Sequence, residues 1–401
     1  MSVSSDPETT SDADLFGLFT SAAVRPDPYV EYARLLATRR VVDTGIGVHF
    51  VFAHDDCLTL LRERRVSVDE RNSALGTPSP DALPTLIHLD PPDHTRLRKL
   101  VQLAFTPRRV EAIRVRADEL VAAALDRFAP GDEVDPVAEL AYPVPLTIIC
   151  DLLGIPVDDR VLVREWSTWL ALSIDPGVLR SAEVNARIEV AEEAFTGYMK
   201  ALMADRRRAP GADLLSELVI AEMDGDRLSV DELLGLAVLL LVAGHETTVS
   251  LVGNGLLALL RDRDQLRAVV SGGGGERRAV DELLRYDSPV QMTTRIALED
   301  IELPTAVIPR GHFAVLMLGS ANRDPAVFAD AHRLDVRAER GQHLAFGFGI
   351  HHCLGAALAR AEGEAAIPAI VRRFPNLELI AEPTIRPTFV LRGRDDLRVR
   401  L

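Results

Sequence analysis

The sequence predicts a mainly α-helical protein with small β-sheets. Three observations predict it. From about residue 92 onward, apolar residues recur three and four apart, the helical period. β-Type runs occur at only three places, around 41–52, 301–313 and 389–399. The 401-residue chain is 47% hydrophobic, enough for a large core, and no Pro/Gly/Ser-rich linker divides its middle. The expected organisation is a polar, disordered segment at 1–12 followed by one domain over 13–401.

The elements follow in order. Tyr29 to Arg39 reads as a short helix, and Val41–Val42 and Val48–Phe52 read as strands around the turn Thr44–Gly47. Asn72 to Pro84 holds three prolines and reads as a loop. Thr106–Pro107 opens a helix, with Pro at its first position. Ser229 to Arg261 is the longest apolar helix, and Ser229 and Glu232 have capping-box spacing. At about 1.5 Å per residue it spans roughly 50 Å. Its uninterrupted apolar run, Leu233 to Ala243, is too short for a bilayer, and Glu246 follows, so a core helix is expected rather than a membrane span. Gly272–Gly275 lacks the Lys-Ser/Thr of a phosphate loop and reads as a surface linker.

Composition narrows the function. The net charge of −15 argues against wholesale nucleic-acid binding. Cys57, Cys150 and Cys353 are the only cysteines, an odd set without paired spacing, so a reducing cytoplasm is expected rather than a disulfide framework. The N-terminus lacks the basic and apolar regions of a signal peptide. A monomer without a membrane anchor is the default expectation.

Two segments break local rules. Ala243-Gly244-His245-Glu246-Thr247-Thr248 puts a glycine, a carboxylate and two hydroxyls into a core helix. Gly244 weakens the helix, and a buried carboxylate is costly unless paired. Such violations mark functional sites, although a hydrogen-bonded polar cluster is the plainer reading. The second segment is Ala345-Phe346-Gly347-Phe348-Gly349-Ile350-His351-His352-Cys353-Leu354-Gly355. A thiolate ahead of a helix gains from N–H donors and the dipole. A lone cysteine is more often a small hydrophobe. A zinc site from His343, His351, His352 and Cys353 suffers from crowding and leaves the glycines and phenylalanines unused. A thiolate ligand to haem iron uses all of them.

Phe346 to Gly355 resembles the haem-binding signature of the cytochrome P450 monooxygenases. Ala243 to Thr247 resembles their oxygen-activating segment, Glu282-Leu283-Leu284-Arg285 their E-x-x-R motif, and His94-Thr95-Arg96-Leu97-Arg98 the helix that anchors a haem propionate. Together these cover most of the chain from about residue 85, in family order, and the N-terminus resembles the soluble bacterial branch. The resemblance implies the cytochrome P450 fold, haem b (iron protoporphyrin IX) and a long helix over it. It implies Cys353 as the axial iron ligand, shielded by Phe346, with Gly347 and Gly355 shaping the loop. It places His94, Arg98, Arg295 and His351 at the propionates, and Glu282, Arg285 and Arg337 in a structural triad. It puts Ala243, Gly244, Glu246 and Thr247 in the catalytic set, Thr247 holding bound oxygen and Glu246 linking it to solvent. Two departures stand out. Leu334 sits where Phe is common, and Pro368 lies inside the helix after Cys353, which it should kink or end.

The implied activity is O2-dependent hydroxylation or epoxidation of a hydrophobic small molecule, in secondary metabolism or catabolism. Substrate contacts are expected from Leu239, Val242 and Ala243, the loop Asn72–Ile87, Met292, Thr293, Phe389 and Val390. Electrons are expected from a separate ferredoxin and ferredoxin reductase, docked through Arg96, Arg98, Lys99, Arg108 and Arg109. A peroxide-driven peroxygenase and a non-catalytic haem-thiolate sensor are the alternatives; an intact Glu246–Thr247 pair disfavours both.

Overall fold

The computed structural model describes residues 26–76, 83–102, 105–223 and 228–401. The expected disorder at 1–12 and part of the loop Asn72–Ile87 lie outside them. The chain runs through α1 (Tyr29–Thr38), β1 (Val41–Asp43), β2 (Val48–Val51), α2 (His54–Arg62), β3 (Val66–Ser67), α3 (Asp93–Gln102), α4 (Pro107–Leu125), β4 (Glu133–Val134), α5 (Pro143–Leu153), α6 (Arg160–Ala171) and α7 (Ala182–Arg208). It continues through α8 (Leu214–Met223), α9 (Val230–Arg261), α10 (Arg263–Val270), α11 (Glu276–Tyr286), β5 (Thr293–Ala297), β6 (Ile301–Leu303), β7 (Ala306–Ile308), β8 (Phe313–Leu316), α12 (Leu318–Ala321), α13 (Ala356–Arg373), β9 (Glu378–Leu379) and β10 (Val399–Arg400).

Helix α9 is the axle. Ser229 caps it, and Ser229 and Glu232 exchange the two bonds of a capping box, satisfying donors that would otherwise be orphaned. Helices α5, α6, α7, α11 and α13 pack around it. Among the described residues it is the one helix long and apolar enough to cross a membrane, yet 72% of its most apolar window is buried in the protein. Packing on several sides is why the sequence is apolar nearly all round. Each leucine it buries contributes about 1.5–3 kcal/mol.

The sheets are small, as expected. One runs β1-β2-β8-β5-β3, with β2 parallel to β8 in the register Val48↔Phe313. A second runs β4-β10-β9, and β6 pairs with β7. The β-region expected near 389–399 reduces to the bridges Val290↔Leu391 and Ile385↔Arg394 and strand β10. Pro368 does not end its helix: α13 continues to Arg373 with the proline inside.

A buried ion cluster pins α11 to the segment ahead of the cysteine loop. Arg285 Nε and Nη2 bond Glu282 at 2.7 and 2.8 Å, and Arg285 Nη1 donates to the Asn322 and Ala331 carbonyls at 2.9 and 2.7 Å. The third member is Arg340, whose Nε lies 3.0 Å from Glu282 Oε2. This corrects the expectation for Arg337, which is exposed and offers its carbonyl to Arg278. The chain turns at Asp335, whose N–H donates to Glu282 Oε1 at 3.0 Å, and this turn carries the Arg337 side chain outward.

Arg340→Met should therefore destabilise the fold by about 1–3 kcal/mol, because it removes a charged partner from a buried carboxylate. Arg337→Met should stay within about 0.5 kcal/mol. Chemical denaturation of the two variants separates these outcomes.

Candidate active site

The cysteine loop lies between α12 and α13 and is shaped by its own backbone. Gly349 sits at φ 73°, and a Cβ there would fall 2.3 Å from the Leu61 carbonyl oxygen, so only glycine fits. The Cys353 N–H donates to the Phe346 carbonyl at 2.9 Å, closing the loop. Phe346 is half-buried beneath the Arg360 guanidinium, 4.4 Å from its ring centroid. Cys57 and Cys150 are buried, whereas Cys353 is exposed. Burial of the surrounding loop nonetheless pushes the Cys353 thiol pKa up, and the Gly355 N–H, Arg98 and Arg360 act in the opposite direction. The sulfur is thus enclosed by protein yet open on one side.

Beside it lies a cluster of positive and imidazole groups. His94 and Arg98, four apart on α3, share a face. The His94 ring is 4.2 Å, centroid to centroid, from that of His351. His94 is buried, and neither of its ring nitrogens has a hydrogen-bond partner. Arg295 on β5 is buried, and burial pulls its pKa down to about 10. Burial, then Arg295, His94 and Arg98, push His351 down to about 3. Arg98 Nη2 donates to the His352 carbonyl at 2.7 Å. Among the described residues no carboxylate pairs with Arg98 or Arg295. Asp90, whose charge reaches Arg295, is held by Ser67 and the Val68 N–H. Buried cations without counter-ions are costly, and this set suits an anion bearing carboxylates.

The second rule-breaking segment lies on α9. Inside this buried helix Leu239, Gly244 and Thr247 are partly accessible and Ala243 is exposed. Leu239, Ala243 and Thr247 recur every four residues, so they form one accessible stripe on an otherwise buried helix. Gly244 brings α9 close to α5: a Cβ there would sit 2.9 Å from Ile149 Cδ1, which would have to shift. Thr247 Oγ1 donates to the Ala243 carbonyl at 3.0 Å, which leaves its lone pairs free.

Glu246 differs from the expectation. It is buried rather than linked to solvent, and it pairs with Arg386 from the C-terminal segment. Burial would raise its pKa, but His245 and Arg386 together hold it at about 2. His245 Nε2 is 3.1 Å from Glu246 Oε1 without hydrogen-bond alignment. Its Nδ1 bonds the Leu241 carbonyl at 2.8 Å. The Leu241 carbonyl can only accept, so Nδ1 carries a proton, and His245 and Arg386 are both partners of the carboxylate. Nothing local in the sequence marks Arg386; it lies 140 residues from Glu246.

Among the expected substrate contacts, Leu239 lines the stripe, and Phe389, Val390 and Thr293 are half-buried. Val242 and Met292 are instead buried in core clusters. Both lie on faces that pack against neighbouring elements. The docking cluster is largely neutralised: Arg96 pairs with Glu232 and Arg109 with Glu217.

Comparison with known proteins agrees with this geometry. The sequence profile of the family described as Cytochrome P450 matches residues 277–392. The chain is 42% identical to the cytochrome P450 monooxygenase PikC of Streptomyces venezuelae, across 93% of this chain and 91% of that protein. It is 39% identical to 6-deoxyerythronolide B hydroxylase of Saccharopolyspora erythraea, across 94% and 96%. The structure of the cytochrome P450 PksS of the Bacillus subtilis bacillaene polyketide synthase superposes with a TM-score of 0.86 at 35% identity, covering 95% of this chain and 98% of that one. The open sulfur, the uncompensated cations and the striped helix thus stand in a chain of matching sequence and shape: it belongs to the cytochrome P450 family of haem b monooxygenases.

Proposed function

We propose that this protein hydroxylates a hydrophobic small molecule of the polyketide type; Cys353 would hold the haem iron through its thiolate, and His94, Arg98, Arg295 and His351 would hold the haem propionates. The observation that carries this reading is the open sulfur beside four cationic or imidazole groups that lack carboxylate partners. An iron atom and two carboxylates on one flat ring answer both needs. The names of two relatives, a 6-deoxyerythronolide B hydroxylase and a polyketide synthase P450, support the substrate class. So do the apolar groups along the α9 stripe.

Bound haem b supplies two-electron activation of O2, with one oxygen atom going to the substrate and the other to water. The chain supplies everything around that chemistry. The Gly355 N–H and the Arg98 and Arg360 charges stabilise the Cys353 thiolate, which tunes its donor strength. Thr247 has committed its own proton to the Ala243 carbonyl. Its Oγ1 therefore acts as an acceptor, holding the proton of a hydrogen-bond donor in the cavity against the α9 wall. Leu239 and Ala243 exclude water from one side. Glu246 is an ionised base held by Arg386; when that pair loosens, Glu246 can take a proton from water and pass it toward Thr247.

Electrons come, in this reading, from a separate ferredoxin and ferredoxin reductase in the cytoplasm. With Arg96 and Arg109 paired internally, Lys99 and Arg108 are the cations of that face left to meet an acidic partner.

Three outcomes test these roles. Thr247→Ala should lower product formed per electron pair by at least about tenfold while the substrate-induced spectral shift persists; unchanged coupling contradicts the role. Arg295→Ala should speed haem loss to apomyoglobin by about tenfold or more, since a charged hydrogen bond is worth about 1.5–3 kcal/mol. The third outcome concerns pH. In the wild type Glu246, held at about 2, contributes stability that is present above the unfolded carboxylate pKa of about 4.3 and lost only as pH falls toward its folded value. In Arg386→Met the Arg386 contribution is lost while that of His245 remains, so Glu246 moves up toward its unfolded value and the stability lost on acidification between about pH 5 and 2 should be smaller than in the wild type. Thermal unfolding across that range reads the difference.

A further inference from the structure

Asp281 on α11 ties together the two sides of the cysteine loop. Its Oδ1 accepts from Arg360 Nε on α13 at 2.6 Å, and His343 Nε2, ahead of the loop, lies 3.3 Å from the same oxygen. Oδ2 accepts from Arg277 Nε at 3.1 Å. Burial would raise the Asp281 pKa, but His343 and Arg360 hold it well below the usual carboxylate range. His343 Nδ1 accepts the Ala345 N–H at 3.2 Å. A nitrogen that accepts carries no proton, so the ring's proton sits on Nε2, the atom that faces Asp281.

Both arms lead to the sulfur. The His343 arm fixes Ala345, the residue before Phe346, and the Phe346 carbonyl takes the Cys353 N–H at 2.9 Å. The Arg360 arm lays its guanidinium on the Phe346 ring, 4.4 Å from the centroid, and its charge reaches Cys353. Among the described residues, Asp281 is the one group that Arg360 hydrogen-bonds or ion-pairs. A second carboxylate lies nearby. Glu364 follows Arg360 by four on α13, on the same face and roughly 6 Å further along the helix from the loop. Its ion-pair partner is Arg277, at 3.8 Å, and its buried Oε1 has no hydrogen-bond partner. Without Asp281, Arg360 has that carboxylate to turn to, away from the sulfur.

We propose that Asp281 is a positioning residue for the thiolate: it holds Arg360 over Phe346 and beside Cys353, and through His343 it holds the Phe346 carbonyl on the Cys353 N–H. This rests on reading Cys353 as the iron ligand. A cation held beside a ligand sulfur draws electron density from it and favours the reduced metal. Asp281 therefore raises the haem potential by steering Arg360, although its own negative charge acts the other way. The Asp281 side chain is 31% exposed and Arg360 17%. Water screens the acid's own charge more, so displacement of Arg360 is the larger effect. The sign of the change thus separates a steering acid from a simple charge.

Spectroelectrochemistry of the holoprotein reads that sign. Asp281→Ala should move the ferric–ferrous equilibrium about threefold toward ferric, about 28 mV at 59 mV per tenfold for one electron. Arg360→Met should move it the same way by at least as much, and in that background Asp281→Ala should add less than about 1.5-fold. Asp281→Glu should restore most of the wild-type value. Asp281→Asn keeps the shape and one acceptor oxygen; it should shift about twofold, and it carries the test if the alanine variant does not fold. Hydrogen exchange gives a second readout: the Ala345 and Cys353 amides should exchange about fivefold faster in Asp281→Ala while α9 keeps its protection. A shift toward ferrous, a shift below about 1.5-fold in every folded variant that lacks the charge, an undiminished Asp281 effect beside Arg360→Met, or exchange rising evenly over the whole chain would overturn the proposal. If the protein carries no thiolate-ligated haem, the proposed function fails, and faster exchange at 345 and 353 still upholds the positioning by Asp281. If the haem is thiolate-ligated and neither its potential nor exchange responds, this proposal fails and the function stands.

Discussion

The structure depends on one electrostatic constraint: charge placed out of water must meet opposite charge. Around the cysteine loop that constraint is met for some groups and not for others. Arg285 and Arg340 share Glu282, and Arg360 has Asp281 at 2.6 Å. Arg98, Arg295, His94 and His351 have no such partner among the described residues, and burial drives the pKa of each of them down. A site that concentrates two unanswered guanidinium groups and two imidazoles beside an accessible thiol suits something negative and metal-bearing. The fold supplies the rigid frame: α11 and its ion cluster behind the loop, α3 at its side, and α9 with its accessible stripe.

The same constraint governs α9, with the opposite outcome. Glu246 is buried in α9 and answered by Arg386, so it stays ionised where burial alone would have neutralised it. Glu362 on α13 shows the alternative fate. Fully buried and without a charged partner, it is pushed up to about 8 and remains protonated at neutral pH. Two buried glutamates on neighbouring helices are thus shifted in opposite directions, Glu246 down by His245 and Arg386 and Glu362 up by burial.

Much of the site was legible because its chemistry is local. Phe346 to Gly355 carries loop shape, ligand and helix start within one short stretch. His94 and Arg98 declare a shared face by spacing alone, and Ser229–Glu232 declares a helix start. The departures from expectation are all tertiary. Arg337 and Arg340 both follow the same turn, and only the path of the chain after Asp335 decides which one reaches Glu282. Arg386 carries no motif, and its partner is 140 residues away, so no window of sequence holds both. Pro368 reads as a break, yet the packing of α13 against α4 and α9 overrides the lost N–H. Val242 and Met292 look like pocket residues by composition, but packing partners outside their own segments bury them.

The central claim is a bond between Cys353 and iron. Iron-edge X-ray absorption of the purified holoprotein, beside its Cys353→Ser variant, tests it most directly. One sulfur in the first coordination shell of iron, absent from the serine variant, is the predicted result. A shell of nitrogen and oxygen alone in the wild type, or a sulfur that survives the substitution, would contradict it.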